Sequence, residues 1–396
     1  MFQRLQYGLI NGQTYYATQI LGFNLTQRGI CSQPFQHGSF LYSLEQKKLS
    51  KCELMTEKYS IYGNELSPYS VKVRSYFRYK EIEHEWIERN LKTQKTFNKL
   101  AKVQIIPLVL CPNGDVLQDS TPIILKMEKE FIKKPVVPEE PALSFLSRIL
   151  EEYADEWAVK HMCHYRWYYE ENLDAAGKRF AKLYVPQAIQ QIVWLRTFFL
   201  NKVANAFKSR MSKRLWVVGS NEVTRTSIEE SFKSLIELLD KHLESRPYIF
   251  GNRPSIADFA LWGHVYNANN DVTARELIQK RVPKLNDWIE RMVDPVEMGD
   301  FETWRDLKPT LLPLIREEVS ETFLPWVTAN NEAVKNNKDR VSISLKGRPF
   351  EHKVTSVQKF HAKSFSLLMD HYKSLSQDQE LEEVLVETGV KGYLNA

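Results

Sequence analysis

The chain has 396 residues, enough for two or three domains and a large core, and its 43% hydrophobic and 26% charged residues are those of a water-soluble globular protein. A net charge of +5 is small for this length, and the basic residues come in short pairs such as Lys133-Lys134, which argues against nucleic acid as the main partner. No apolar run approaches the ~18 residues of a spanning helix, so no membrane partner is expected. Cys31, Cys52, Cys111 and Cys163 are spaced neither as zinc ligands nor as a disulfide framework, which fits a reducing, cytoplasmic setting.

Residues 1–54 differ from the rest. The first 44 contain no Asp or Glu and no sustained period of two or 3.6, and only Arg4 and Arg28 are basic before Lys47. That is thin for a transit segment, and Asn24-Leu25-Thr26 matches a glycosylation acceptor with nothing else pointing to secretion. The stretch reads as an irregular or disordered extension, with Met55 a natural start for the first folded domain.

Residues 55–134 read as one α/β domain. Residues 59–63 (YSIYG) form a short strand, and Leu66-Ser67-Pro68-Tyr69-Ser70 opens a helix. Val71, Val73, Tyr76 and Phe77 line one face of that helix, with Lys72, Arg74, Arg78 and Lys80 on the other. Residues 84–88 read as a second strand and 96–102 as a short helix. Leu108-Val109-Leu110 and Val116-Leu117-Gln118 are strands joined by the turn residues Pro112-Asn113-Gly114-Asp115, and Asp119-Ser120-Thr121-Pro122 opens another helix. A Pro just before a strand, Pro107, suits a cis bond to Ile106. Asp119 and Ser120 offer a carboxylate, a hydroxyl and free backbone N–H groups to a small charged ligand, or simply cap the helix.

Residues 135–141 (PVVPEEP) form a Pro-rich linker, and 142–300 read as all-helical. Leu146, Ile149, Leu150, Tyr153 and Trp157 carry helical spacing, while Glu151, Glu152, Asp155 and Glu156 crowd what reads as a solvated face. His161 and His164 lack the glutamate of a zinc-binding H-E-x-x-H pattern, so no metal is expected. Ser255-Ile256-Ala257-Asp258 is a capping box opening a core helix through Phe259, Leu261 and Trp262. Residues 301–396 read as an extension with helix over 311–333, broken at Pro313 and Pro325, a β-hairpin over 341–354 and a final helix over 357–372.

The unit Pro-strand-turn-strand-helix, followed about 130 residues later by G-x-x-x-S-x-A-D at Gly251 to Asp258, resembles the glutathione transferases, over roughly residues 55–305. The resemblance implies an α/β thioredoxin-like domain with a mixed sheet, then the family's all-helical domain, here with extra terminal segments. It implies that Ile106 and Pro107 pair with the cysteinyl unit of glutathione and that Asp119 and Ser120 hold its γ-glutamyl group, with Tyr69 also binding glutathione. Ser67 stands where omega-type members and glutaredoxins carry a Cys and zeta-type members a Ser. A hydroxyl at a helix N-terminus can hold glutathione as thiolate by a charge-assisted bond and the helix dipole, though the same residue type also serves as a plain cap. The first helix of the helical domain would line the pocket for a small electrophile, with Trp157, His161, Tyr165, Arg166 and Tyr169 facing it, or else build an aromatic core. The implied activity is a cytoplasmic, homodimeric, detoxifying glutathione transferase using glutathione as co-substrate. The alternative is a non-catalytic binding or scaffold protein on the same fold.

Overall fold

The computed structural model describes residues 56–375 and 378–394, the Gln187 side chain excepted. The extension at residues 1–54, with Cys31, Cys52 and the Asn24 triplet, lies outside the described residues.

The first part is built on a four-stranded sheet in the order β2-β1-β3-β4, from β1 (Tyr59–Gly63), β2 (His84–Glu88), β3 (Leu108–Leu110) and β4 (Val116–Gln118). β1 and β2 run parallel, and the other neighbours antiparallel. Alternation along the strands divides the core. Ile61 and Val109 pack with α1 (Pro68–Tyr79) and α3 (Ser120–Glu130) through Phe77, Ile123, Ile124 and Met127. Tyr62, Leu108 and Leu110 face the other way, against Phe97 and Leu100 of α2 (Gln94–Leu100). The basic face of α1, opposite its apolar one, is largely withdrawn from solvent. Lys72, Arg74 and Lys80 are buried: Lys72 under the helices of the second part, Arg74 against Trp86 and Glu65, and Lys80 against Glu128 and the Lys133 carbonyl.

α4 (Pro141–Tyr153), a π-helical segment (Ala154–Ala158) and α5 (Val159–Trp167) follow one another without a break. α6 (Glu170–Tyr184), the short α7 (Gln187–Gln190) and α8 (Val193–Ser212) form a hairpin. A 3₁₀ turn (Leu215–Val218) leads to α9 (Arg225–His242), α10 (Ile256–Ala268), α11 (Val272–Arg281) and α12 (Pro283–Arg291). The Ser255–Asp258 capping box forms as read, and the Asp258 carboxylate also accepts from the Ile249 amide (2.9 Å) and the Trp288 indole (3.1 Å). α10 lies directly against α1: a Cβ on Gly263 would come within 2.5 Å of the Pro68 carbonyl oxygen.

The C-terminal part contains α13 (Trp304–Leu314), a π-helical segment (Ile315–Phe323), α14 (Leu324–Lys335), the hairpin β5 (Arg340–Leu345) and β6 (Arg348–Lys353), α15 (Ser356–Leu375), α16 (Gln379–Thr388) and α17 (Lys391–Leu394). The expected break at Pro313 does not occur. Pro309 and Pro313 lie within α13, a π-helical segment rather than a loop comes next, and Pro325 falls in the first turn of α14, where a missing N–H is tolerated. This part shares the main core: Trp326 and Phe350 pack on Trp157, and Tyr372 of α15 on Phe145 of α4.

Candidate functional site

The site is set by strand register. Leu108 is paired with Tyr62 on one side and Gln118 on the other, so the residue before it, Pro107, lies between Gly63 and Asp119 at one end of the sheet. The Ile106–Pro107 bond is cis. At the same end the chain enters α1 through Ser67 and α3 through Asp119 and Ser120, so two helix N-termini converge there. Ile106, Pro107, Ser67, Asp119 and Ser120 are thus brought to one place.

The loop before α1 is clamped. Asn64 Oδ1 accepts from the Leu66 amide (2.8 Å), the Ser67 amide donates to the Asn64 carbonyl (3.0 Å), and Arg74 Nη2 bonds Glu65 (2.9 Å). Ser67 is fully buried, and its Oγ accepts from the Ser70 amide at 3.3 Å as the α1 cap. That bond uses a lone pair and leaves the hydroxyl proton available. Ser70 is also fully buried, with its Oγ unpaired among the described residues. Tyr69 instead turns its hydroxyl to the Asp155 carbonyl (2.9 Å) and its ring edge to His264.

Asp119 holds φ +80°, a region an Asp tolerates but does not favour, and its side chain makes no cap bond. Its Oδ2 and the Ser120 Oγ are buried and without a hydrogen-bond partner among the described residues. Burial, then the neighbouring Asp155 and Glu151 against the opposing Lys72, hold the Asp119 carboxyl well above the usual carboxylate range. Such orphaned groups are uncommon, and they mark a place where a polar ligand can complete the hydrogen bonding.

Behind this edge lies a buried charge cluster that periodicity alone did not reveal. Lys72 Nζ bonds Glu151 (2.7 Å), Asp155 (2.8 Å) and the Thr121 hydroxyl (3.3 Å). Burial alone would lower the Lys72 pKa, but Asp155 and Glu151 outweigh it and raise it. His264 Nε2 lies 3.5 Å from Asp155, and Ser364 of α15 donates to Glu152 at 2.6 Å. Glu151, Glu152, Asp155 and Glu156, read as a solvated face, are therefore all buried: α1 covers one side of α4 and α15 the other.

The five aromatic-segment residues do not converge on one cleft. Trp157 Nε1 and His161 Nε2 both meet Ser231 of α9 at 2.9 Å, and Trp157 packs on Trp326 and Phe350. Tyr165 packs on Phe232, and the Tyr169 hydroxyl meets Glu229. Arg166 alone reaches the thioredoxin-like domain. Its Nη1 donates to the Leu66 carbonyl at 3.0 Å, while Nε holds Asp271 (2.9 Å) and Nη2 holds the Asn267 carbonyl (2.8 Å). Among the described residues no group of three or more His, Cys, Asp or Glu is placed to hold a metal.

A mixed four-stranded sheet followed by a helical domain with its buried capping box defines the glutathione-transferase fold. In agreement, residues 66–130 match the family model for the glutathione S-transferase N-terminal domain and residues 205–291 that for the C-terminal domain. The chain is 22% identical over 258 residues to the protein Failed axon connections of Drosophila melanogaster, a match that covers 61% of this chain and 56% of that one. It thus spans little more than half the length of that relative. Among solved structures it is similar to a glutathione S-transferase of Methylobacterium radiotolerans in complex with glutathione sulfonate (18% identity, 62% of this chain and 97% of that, TM-score 0.36). It is also similar to the beta-etherase LigF of Sphingobium (16%, 59% and 94%, TM-score 0.40) and to the glutathione transferase GSTFuA3 of Phanerochaete chrysosporium (14%, 62% and 99%, TM-score 0.40).

Proposed function

We propose that this chain binds glutathione at the end of the sheet where α1 and α3 begin, and that Ser67 holds its thiol as thiolate for attack on a small electrophile. One observation carries this reading: the orphaned Asp119 Oδ2 and Ser120 Oγ, buried side by side at the mouth of α3. Asp119 would take the ammonium of the γ-glutamyl group and Ser120 its carboxylate. The opposite charge brought by the ammonium would return the Asp119 carboxyl to its ionised form. The Ser67 hydroxyl, with its proton free, would donate to the sulfur as in zeta-type members. The sulfur then bonds to the electrophilic carbon as a leaving group departs with its electron pair, or as a proton is taken up in an addition. Glutathione as co-substrate and a detoxifying role in a reducing, cytoplasmic setting belong to the same reading.

The full burial of Ser67 and its engagement as a cap favour a second reading, a binding or scaffold protein without turnover. Calorimetric titration of the full chain with glutathione, beside conjugation assays over a panel of electrophiles, separates the two. Binding with turnover supports the transferase, binding without it the scaffold, and no binding removes the site assignment.

A further inference from the structure

We infer that the tip of the α6–α8 hairpin docks on an anionic lipid surface, with Trp194 and Phe198 entering the acyl boundary and a basic collar behind them on the headgroups. The hairpin is antiparallel: Asp174 pairs with Lys208, and the rings of Phe180 and Tyr184 pack on Phe207 at 5.3 and 5.4 Å. Its base is anchored by Arg179 on the Asn270 carbonyl and Asp271, and by Asn172 on Thr273 (2.8 Å). At its other end Tyr184 lies near Arg89 and Glu88 of the first part, and the apolar residues beyond it are uncovered. Ile192, Val193, Trp194 and Phe198 are exposed, with Trp194 at 72%, Val193 at 68% and Phe198 at 61% of their full accessibility.

These residues form a protrusion rather than a groove. At about 100° per residue, the exposed Val193, Trp194, Thr197, Phe198 and Arg196 point in directions spread over more than half of the helix circumference. Clustered exposed aromatic and aliphatic side chains of this kind mark an interaction surface.

Charge selects the occupant. From residue 175 to residue 221 the chain has no Asp or Glu and nine Lys or Arg, although the whole chain is close to neutral. Lys178, Lys182, Arg196 and Lys202 are exposed in the half of the hairpin nearest the apolar tip. A second copy would bring the same positive charge face to face, which opposes self-association through this tip. Trp194 and Phe198 could stack on bases, but they sit with Ile192 and Val193 on an apolar protrusion and not along a basic groove that tracks a phosphate backbone, which disfavours nucleic acid. Apolar residues with an indole at the front and basic side chains behind are what an anionic membrane surface takes. No described helix is long and apolar enough to cross a membrane, so the contact is peripheral.

The test is co-sedimentation of the full chain with vesicles of phosphatidylcholine alone or with about one-third phosphatidylserine. Partition onto the anionic vesicles should exceed that onto neutral ones by at least tenfold and fall with salt, each basic contact contributing roughly fivefold. Trp194→Ser with Phe198→Ser, and separately Arg196→Glu with Lys202→Glu, should each lower partition at least tenfold while melting as the wild type does, since these side chains are exposed. Brominated acyl chains should quench wild-type fluorescence, and Trp194→Phe should lose that component while still binding. The proposal is overturned by failure of the wild type to bind anionic vesicles, or by equal binding of the substituted proteins. A dimer or an RNA complex lost in the same variants, without vesicle binding, overturns it too and assigns the tip to that partner.

Discussion

Arg166 of α5 and Leu66 of the loop before α1 are joined by a 3.0 Å hydrogen bond that crosses from the helical domain to the thioredoxin-like domain, one residue before Ser67. The guanidinium reaches the loop while its other nitrogens hold Asp271 and Asn267, a division of donors that a lysine cannot reproduce. Arg166→Lys should cost about 2 kcal/mol by denaturant unfolding and speed hydrogen exchange at the Ser67 and Ser70 amides before it affects exchange elsewhere. Unchanged exchange in that loop would show that the clamp comes from Asn64 and Glu65 alone.

Lys72 neutralises two acids in a place shut off from water, so its removal leaves Asp155 and Glu151 without their shared cation. Lys72→Met should destabilise the fold by about 3–5 kcal/mol. Adding Asp155→Asn should recover at least about 1 kcal/mol of this, because one uncompensated charge is then gone. A double variant no more stable than Lys72→Met would mean that lost packing, not charge, accounts for the damage.

Glu152 supplies a pH dependence of definite sign. Burial, then Glu151 and Asp155 against the opposing Ser364 hydroxyl, push its pKa up from 4.5 to about 8. Between those values the folded protein keeps a proton that the unfolded chain has released. The stabilising contribution is therefore full below 4.5 and is lost as pH rises through 8. Glu152→Gln keeps an acceptor for Ser364, so melting scans should show it a few degrees more stable than wild type at pH 8, with the difference vanishing towards pH 4.5. Parallel curves for the two proteins would contradict this.

What the chain revealed before folding, and what it hid, depends on how local each signal is. The turn at 112–115, the Ser255–Asp258 box and the 84–88 strand are each written within a few residues, and each forms as read. The Ile106–Pro107 isomer was legible for the same reason. The charge cluster was not. Lys72, Glu151 and Asp155 look like solvent-facing residues until α1 and α15 close over α4 from two sides, a tertiary event with no local mark. Trp157 and His161 carry the spacing of a pocket wall as well as that of a core, and Ser231 on a distant helix decides their direction. The 47 residues from 175 to 221 contain no Asp or Glu, a bias written in the chain itself, but which of their side chains end up exposed is set by the fold.

Asp119 carries costs that a purely structural residue would not: a positive φ and a buried, unpaired carboxyl oxygen. Glycine meets the backbone demand and removes the carboxyl, so Asp119→Gly should melt at or slightly above the wild-type temperature without ligand. Glutathione affinity should fall by about 1.5–3 kcal/mol, the scale of a lost bond to a charged group. A calorimetric titration beside a melting curve reads both quantities. Loss of stability with unchanged affinity would reduce Asp119 to a helix-entry residue.

Ser67 decides between enzyme and scaffold. Its Oγ already accepts the Ser70 amide, so Ser67→Ala should lower stability by about 1 kcal/mol, the loss of a cap, whatever the function. Catalysis asks more of it. Free glutathione has a thiol pKa near the cysteine value of about 8.5, and a charge-assisted bond from the Ser67 hydroxyl would lower it by about one to two units. Without that donor the bound thiol should titrate close to its free value. Turnover at neutral pH should then fall about ten- to a hundredfold and partly recover as pH rises, with little change in glutathione affinity. Ser67→Cys should trade conjugation for disulfide exchange, which the serine cannot perform. Thiolate absorbance of bound glutathione, tracked against pH in wild type and Ser67→Ala, is the deciding measurement. Superimposable titrations would leave Ser67 a cap and turn attention to the unpaired Ser70 hydroxyl at the same helix start.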